Sequence, residues 1–180
     1  PDDNRRVVRY SKPLAQGFAP EFPIEFELPV PSDEELEAIS IMDGRIIVFS
    51  PSEILWFAGD GPDASGNGLW SPIQKLQTNN GCVEKSSVVS VENGIFYKGR
   101  RGIYLLDRGL NSQYVGAGVD DSSFNAAGTR NKIFSAENLS TTQEYRFVVG
   151  ANELYTDTQI GTVTRAQALQ VLVYDNYHQR

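Results

Sequence analysis

The sequence predicts an all-β chain made of propeller-like blades, each an antiparallel four-stranded meander. Most apolar segments are short, rich in β-branched and aromatic residues and bounded by turn residues, as at residues 45–49, 54–57, 94–97 and 103–106. Helical signals are weak, because the two candidate turns, residues 33–37 and 164–169, lack the periodic apolar positions of a core helix. A pattern of strand, turn and strand also recurs along the chain.

This repeat relates residues 42–55 to residues 91–104. In both copies an acidic residue, a turn, an apolar strand, a polar hairpin and a second apolar strand follow one another, at an offset of about 49 residues that is typical of propeller blades. Asp43-Gly44 and Asn93-Gly94 tolerate positive φ, so each predicts a tight type I′ hairpin. Since one such sheet cannot bury both faces, neighbouring blades must stack on it.

The repeat divides the chain into four parts. Residues 1–35 are predicted to supply a strand of a preceding blade, at residues 6–11, and an acidic linker. Residues 36–85 form the first blade, residues 86–131 the second, and residues 132–180 an incomplete third that is stretched by an insertion at residues 151–168.

About three blades make an incomplete ring, because single-chain propellers close with about four to eight. The strands near residues 7–10 and 172–174 would then be left unpaired by this chain. Natural proteins protect such edges. We therefore expect polypeptide outside the 180 residues, from a longer chain or a partner subunit, to pair with them.

The charge is negative and unevenly distributed. A formal net charge of −7 argues against a duplex nucleic acid partner, because phosphate binding needs a basic face. Residues 21–43 contain eight acidic residues and no basic one, whereas Lys98, Arg100 and Arg101 form a basic hairpin. We expect residues 21–37 of the acidic stretch and the basic hairpin at residues 98–101 to help set the register between subunits. No apolar run approaches the roughly 18 residues of a membrane span.

The sequence predicts no catalytic, cofactor or metal site. Cys82 and His178 are the only cysteine and histidine, too few for a four-ligand zinc site, and Cys82 is predicted to be a small buried apolar residue. The glycine-rich residues 59–68 lack the Lys-Ser/Thr pair of a phosphate loop. Their Asp60, Asp63 and Asn67 lack the spacing of an EF-hand, so an ordinary loop is predicted.

Two alternatives remain open. A propeller glycosidase or sialidase needs converging carboxylates, or a tyrosine with an arginine cluster. Trp56 and Trp70 could stack on sugars in a carbohydrate-binding module, although Trp56 lies in a predicted strand and is expected to pack. The sialidase candidates are Tyr97, Tyr104, Arg100, Arg101 and Arg108, but the first two arginines fall in one short hairpin.

A series of motifs, in order, resembles a known family. The motifs lie at residues 9–12, 18–22, 43–49, 53–57, 59–66, 81–82, 86–89, 94–97 and 101–109, and residues 172–175 fit a closing motif. Together they resemble tail nozzle and packaged-DNA stabilisation hub proteins of short-tailed bacteriophages, over most of residues 9–118.

The resemblance implies a structural virion protein rather than an enzyme. It implies a ring of subunits below the portal that helps form the tail channel, retains packaged DNA and passes it at ejection. Partners would be other copies of the chain and neighbouring portal or tail proteins, with DNA passing nearby without sequence-specific contacts. No cofactor is implied. The alternatives are a carbohydrate-binding, lectin-like propeller module on a phage tail and, less favoured, a propeller glycosidase.

Overall fold

A computed structural model describes residues 5–12, 17, 19–24, 26–63, 68–117, 131–142, 144–157 and 161–175, with the backbone alone for residues 131, 151–157, 161–170 and 175. The described residues form thirteen strands and one short 3-10 helix, so the predicted all-β class is confirmed. None of these residues belongs to a helix long and apolar enough to cross a membrane. The chain divides into two compact units, Pro1–Val83 and Glu84–Arg180.

The first unit contains six strands. They are β1 (Val7–Arg9), β2 (Glu27–Pro29), β3 (Ala38–Met42), β4 (Arg45–Phe49), β5 (Ile54–Ala58) and β6 (Gln74–Lys75). Strands β3, β4, β5 and β6 form an antiparallel four-stranded sheet in chain order, which is the predicted meander. Strands β1 and β2 form a separate antiparallel pair.

The second unit begins with the 3-10 helix Lys85–Ser87 and continues with seven strands. They are β7 (Val89–Val91), β8 (Gly94–Lys98), β9 (Ile103–Asp107), β10 (Ser112–Tyr114), β11 (Asn131–Leu139), β12 (Glu144–Asp157) and β13 (Gly161–Asp175). Strands β7 to β10 form a second four-stranded meander, and β11 to β13 form a three-stranded antiparallel sheet. The weakly helical residues 164–169 lie within β13.

The two four-stranded meanders are copies of one unit, as the sequence repeat predicts. Strand β8 begins 49 residues after β4, and β9 begins 49 residues after β5. The hairpin between the second and third strands closes with the same bond in each copy. The backbone N–H of Ser50 donates to the Glu53 carbonyl at 3.0 Å, and that of Gly99 donates to the Gly102 carbonyl at 2.8 Å. The predicted equivalence of these hairpins is confirmed.

The copies differ in the loop before the fourth strand. In the first copy residues 59–73 connect β5 to β6, whereas residues 108–111 suffice between β9 and β10. The chain nevertheless returns to the same place. Leu76 N–H donates to the Ile54 carbonyl at 2.9 Å, and Val115 N–H donates to the Ile103 carbonyl at 3.0 Å. The glycine-rich segment is therefore an insertion between strands of a conserved meander geometry.

The two predicted type I′ turns have different outcomes. Asp43 and Gly44 connect β3 to β4 with φ of 51° and 71°, as predicted. The Asn93-Gly94 prediction is wrong, because Gly94 is the first residue of β8 and the turn consists of Glu92 and Asn93, neither of which has positive φ. Gly94 is needed for close approach instead, since an added Cβ would lie 1.9 Å from the Leu106 carbonyl oxygen.

The prediction that β1 finds no partner in this chain is wrong. Strand β1 pairs with β2, which lies inside the segment interpreted as an acidic linker. Opposite charges accompany this pairing, because the basic start of the chain meets its own acidic stretch. The three pairs are Arg9–Glu27 at 2.7 Å, Arg5–Glu35 at 3.0 Å and Lys12–Glu21 at 3.1 Å. Exposed pairs of this kind contribute at most about 1 kcal/mol each, so they select the partner more than they stabilise the fold.

The other predicted open edge also has a partner on one side. The segment at residues 172–174 lies in β13 and pairs with β12, with Tyr174 opposite Tyr145. Within the predicted insertion, residues 151–157 and 161–168 are the outer parts of the same two strands, which continue beyond the three-stranded sheet as a ribbon. The third sheet is thus a meander whose second hairpin is greatly lengthened.

Candidate functional site

The second unit holds its two sheets together through an aromatic joint. Phe96 of β8 is 1% exposed, and its ring centroid lies 5.0 Å from that of Tyr145, 5.2 Å from Tyr174 and 5.9 Å from Phe147. The three partners belong to the β11–β13 sheet. This is the face-to-face stacking of neighbouring sheets that the repeat predicts, and Ile103, Ile133 and Val149 complete its buried centre.

A buried ion pair locks the same joint. The Lys98 ammonium lies 2.7 Å from Glu84 Oε1, and the two side chains are only 9% and 17% exposed. The second oxygen of Glu84 accepts a hydrogen bond from the Ile133 backbone N–H at 2.6 Å. Glu84 therefore connects β8 of one sheet to β11 of the other, and both of its oxygens are used.

Two serines of the 3-10 helix extend this lock. Ser87 Oγ accepts a hydrogen bond from the Lys98 N–H at 2.8 Å and donates one to the Glu84 carbonyl at 2.5 Å. The Ser86 hydroxyl donates to the Ile133 carbonyl. Because these bonds are directional, they fix the register between the sheets, which apolar packing alone would leave adjustable.

Tyr145 is the residue of the joint with a shifted ionisation. Burial raises the pKa of its phenol above the ordinary value of 10.0, and the Glu92 carboxylate and the Tyr174 phenol raise the pKa further. The folded chain therefore favours the neutral phenol. Burial of the neutral Tyr145 phenol contributes fully to the stability of the folded chain below a pH of about 10. This contribution is lost as the pH rises through the raised pKa.

We expect the Tyr145→Phe variant to lose less stability in alkali than the wild-type chain. The phenylalanine keeps the ring contacts with Phe96 but has no proton to release. The measurement is the urea midpoint of unfolding at about pH 8 and about pH 11, compared between the two proteins. An equal alkaline loss in both would contradict the prediction.

The residues considered for a sialidase-type site do not converge. Tyr97 is 0% exposed, Tyr104 is 5% exposed, and their rings stack on each other at 5.6 Å. Arg101 lies 5.0 Å over the ring of Tyr114, beside one end of β9. Arg108, at the other end of that strand, donates to the Glu92 carbonyl at 2.7 Å. The two tyrosine rings pack against each other, and the two arginines lie at opposite ends of the sheet.

The tryptophans also pack rather than present open faces. The ring centroid of Trp70 lies 5.3 Å from that of Phe57 and 5.5 Å from that of Tyr10, both edge-on. Gly61 lies so close that an added Cβ would meet the Trp70 ring at 2.5 Å. Trp56 is half-buried with the Arg45 guanidinium 5.4 Å from its ring centroid.

The remaining candidates are Cys82, the glycine-rich loop residues and His178. Cys82 is 0% exposed, so its predicted burial is confirmed. Within the described ranges no three of the residue types His, Cys, Asp and Glu gather as metal ligands, and this search includes Asp60 and Asp63. Asn67 and His178 lie outside the described residues.

Large apolar side chains remain exposed on two outer strands. Ile39 and Ile41 of β3 are 55% and 69% exposed, and Val171 and Val173 of β13 are 56% and 46% exposed. Each strand is the last of its sheet in the described structure. Residues of different polarity alternate in β3, but the sequence does not show which face of the strand is covered. The exposed β3 edge was therefore not predicted.

Comparison with known proteins assigns no family. No protein-family model matches the chain, and no curated protein is significantly similar to it.

Proposed function

We propose that the chain is a structural, non-enzymatic part of a phage tail, a propeller-type piece of the nozzle or hub. It would help form the channel that retains packaged DNA and passes it at ejection. The observation that carries the proposal is the repeated four-stranded meander. In the second unit one copy packs against a neighbouring sheet through buried apolar side chains, and apolar side chains remain exposed on outer strands. The resemblance of the ordered motifs to nozzle and hub proteins supports the same function.

The joint suits a wall that must keep its shape. The Phe96 contacts bury apolar surface, and the Glu84–Lys98 pair adds an interaction that depends on the orientation of the two side chains. A sliding motion of one sheet over the other would break the hydrogen bonds that Glu84 and Ser86 make with the Ile133 backbone, and it would leave a buried carboxylate oxygen without its donor. A channel under load needs this resistance to shear, whereas a small-molecule site needs a cavity with convergent polar groups.

The charge suits a channel through which DNA passes without adhering. A net charge of −7 gives the chain as a whole a net repulsion for phosphates. Three basic residues near the start are occupied by acidic partners, which lowers the number of cations open to DNA. Contacts with the duplex would accordingly be few and independent of base sequence.

The carbohydrate-binding alternative has less support. Sugar sites commonly combine an exposed aromatic face with a concave surface and a few polar groups. In the described residues Trp70 is enclosed by Tyr10, Phe57 and Gly61. The cavity beside β3 is lined by Val7, Val8, Arg9, Leu36, Glu37, Ala38, Ile39 and Val48, with no aromatic ring among them.

Labelling of virus particles tests the proposed function. Gold-labelled antibody against this chain should decorate the tail, close to the capsid vertex, of the phage particles that carry its gene. A glycan array probed with the purified chain should show no binding above background. The proposal fails if purified particles contain none of the chain, or if it binds a glycan and hydrolyses it.

A further inference from the structure

Strand β3 is an open sheet edge of unusual composition. Its five residues, Ala38–Met42, include no charge and no proline, the devices by which natural edge strands avoid pairing with other chains. Strand β4 pairs with one side of β3, and no strand lies along the other side in the described part of the chain. Ile39 and Ile41 are exposed beside this edge. Such an edge is a template for an added strand.

An apolar groove accompanies this edge within the first unit. It is a cavity of about 280 Å³, open to solvent, between β1 and the start of β3. Its lining is mainly aliphatic, with Val7, Val8 and Leu36 among the contributors. The Leu36 N–H donates to the Arg5 carbonyl at 2.8 Å and so ties the two walls together at one end. A strand laid along β3 would find apolar surface beside its backbone partner.

Pairing of β3 with the β3 of a second copy is disfavoured by charge. An antiparallel pair centred on Ser40 would place Ile39 opposite Ile41, which is favourable. The same register would place Glu37 opposite Asp43 at both ends. Like charges directly opposite each other are destabilising. The added strand is therefore expected to come from a different part of the chain.

The outer parts of β12 and β13 form a candidate donor. Pairing of β11 with β12 ends at Asn131 opposite Ala151, whereas β12 and β13 stay paired as far as Asp157 opposite Gly161. Residues 152–157 and 161–166, which we call the ribbon, thus have only each other as described strand partners, over roughly 20 Å at about 3.4 Å per residue. A two-stranded ribbon is at best marginally stable in water, so it gains from joining a sheet.

The two strands of the ribbon differ in charge. The β12 strand contains Glu153 and Asp157, whereas the β13 strand, residues 161–166, includes Arg165 and no acidic residue and so suits the acid-flanked edge. It is rich in threonine and valine, which favour strands. Laid along β3, this strand would meet Glu37 and Asp43 without like-charge repulsion.

We propose that the ribbon of one copy adds its β13 strand to the open edge of β3 in the next copy. Each copy is then both donor and acceptor, so the contact is head-to-tail and closes into a ring when the rotation between copies permits. The inference rests on the proposed function, because it names the contact by which subunits of the ring would join. It also gives the exposed Ile39 and Ile41 a partner surface.

Two variants of the full chain separate donor from acceptor. Ile41→Lys places a charge on the acceptor edge, at a side chain already 69% exposed. The ribbonless variant replaces residues 152–166 with Asn-Gly, which joins Ala151 to its paired Gln167 by a two-residue hairpin and keeps the sheet with β11. Ile24→Lys is the matched control, because Ile24 is 76% exposed and lies outside β3. Circular dichroism confirms that each variant is folded.

Analytical ultracentrifugation gives the result. The wild-type chain and Ile24→Lys should form concentration-dependent oligomers, whereas Ile41→Lys and the ribbonless variant should each dissociate at least about tenfold more readily. Mixed one to one, the two variants should form a dimer and nothing larger, since one supplies the ribbon and the other the edge.

Three results would overturn the inference. They are a monomeric wild-type chain at the highest soluble concentration, unchanged assembly of either variant, and no dimer in the mixture. Assembly of the ribbonless variant alone would indicate self-pairing of β3 instead. Each of these results leaves the particle-labelling test unaffected, and an unlabelled tail would overturn the proposed function while the strand addition stood.

Discussion

Phe96→Ala is expected to lower the free energy of unfolding of the second unit by about 3–5 kcal/mol, the usual cost of removing a buried aromatic ring. Phe96 is 1% exposed and contacts three rings of the opposite sheet, so its loss opens a cavity that those rings cannot fill without moving. Urea unfolding followed by tyrosine fluorescence reports on this unit, because both tryptophans lie in the first.

Phe134→Ala is the matched control for this prediction. Phe134 belongs to β11 of the same unit but is 37% exposed, so the variant should lose no more than about 1 kcal/mol. A loss at Phe96 no greater than the loss at Phe134 would mean that the aromatic joint does not hold the two sheets together. The stacked-sheet interpretation of the second unit would then fail.

The repeat could be predicted from the sequence because its signal is local. Strands β4, β5, β8 and β9 are short apolar runs next to turns, and the offset of 49 residues brings equivalent runs into register. Gly94 shows where local reasoning fails, since a glycine after an asparagine indicates a turn. Here the close approach of the Leu106 carbonyl requires the glycine, and a contact across the sheet leaves no trace in the neighbouring residues.

Long-range pairing explains the other differences. Strands β1 and β2 are separated in sequence by residues 10–26, and each is too short to be recognised as a partner of the other. Their charges are the sequence feature that indicates the pairing. A basic start and an acidic stretch of one chain can contact each other as readily as either can contact another subunit. The sequence interpretation assigned the acidic stretch to contacts between subunits, whereas part of it folds back onto β1.

The polar lock of the joint could not be predicted at all. Glu84 and Ile133 are 49 residues apart, and no motif marks either residue. The basic hairpin at residues 98–101 was expected to help set the register between subunits, yet the Lys98 side chain is 9% exposed and paired with Glu84 inside the chain. Only the stacking of the two sheets brings Glu84 to the Ile133 backbone, so the sequence contains the residues of the lock but not its geometry.

Glu84→Ala is expected to destabilise the second unit by about 3–5 kcal/mol, as breaking a buried ion pair commonly does. The variant leaves the Lys98 ammonium without its carboxylate in a site that water barely reaches, and it leaves the Ile133 N–H without its acceptor. The measurement is the free energy of unfolding in urea, with an unchanged slope against urea concentration as the sign that the folded and unfolded states are otherwise the same.

A double variant separates the cost of the orphaned charge from the loss of packing. Lys98→Met added to Glu84→Ala removes the ammonium that has lost its Glu84 carboxylate and keeps most of the side-chain volume, so the pair of changes should recover at least about 1 kcal/mol relative to Glu84→Ala alone. Glu144→Ala is the control, because Glu144 pairs with the exposed Arg146 at 2.7 Å and should contribute at most about 1 kcal/mol. If Glu84→Ala is no more harmful than Glu144→Ala, the ion pair does not lock the joint, and resistance to shear must come from the aromatic rings alone.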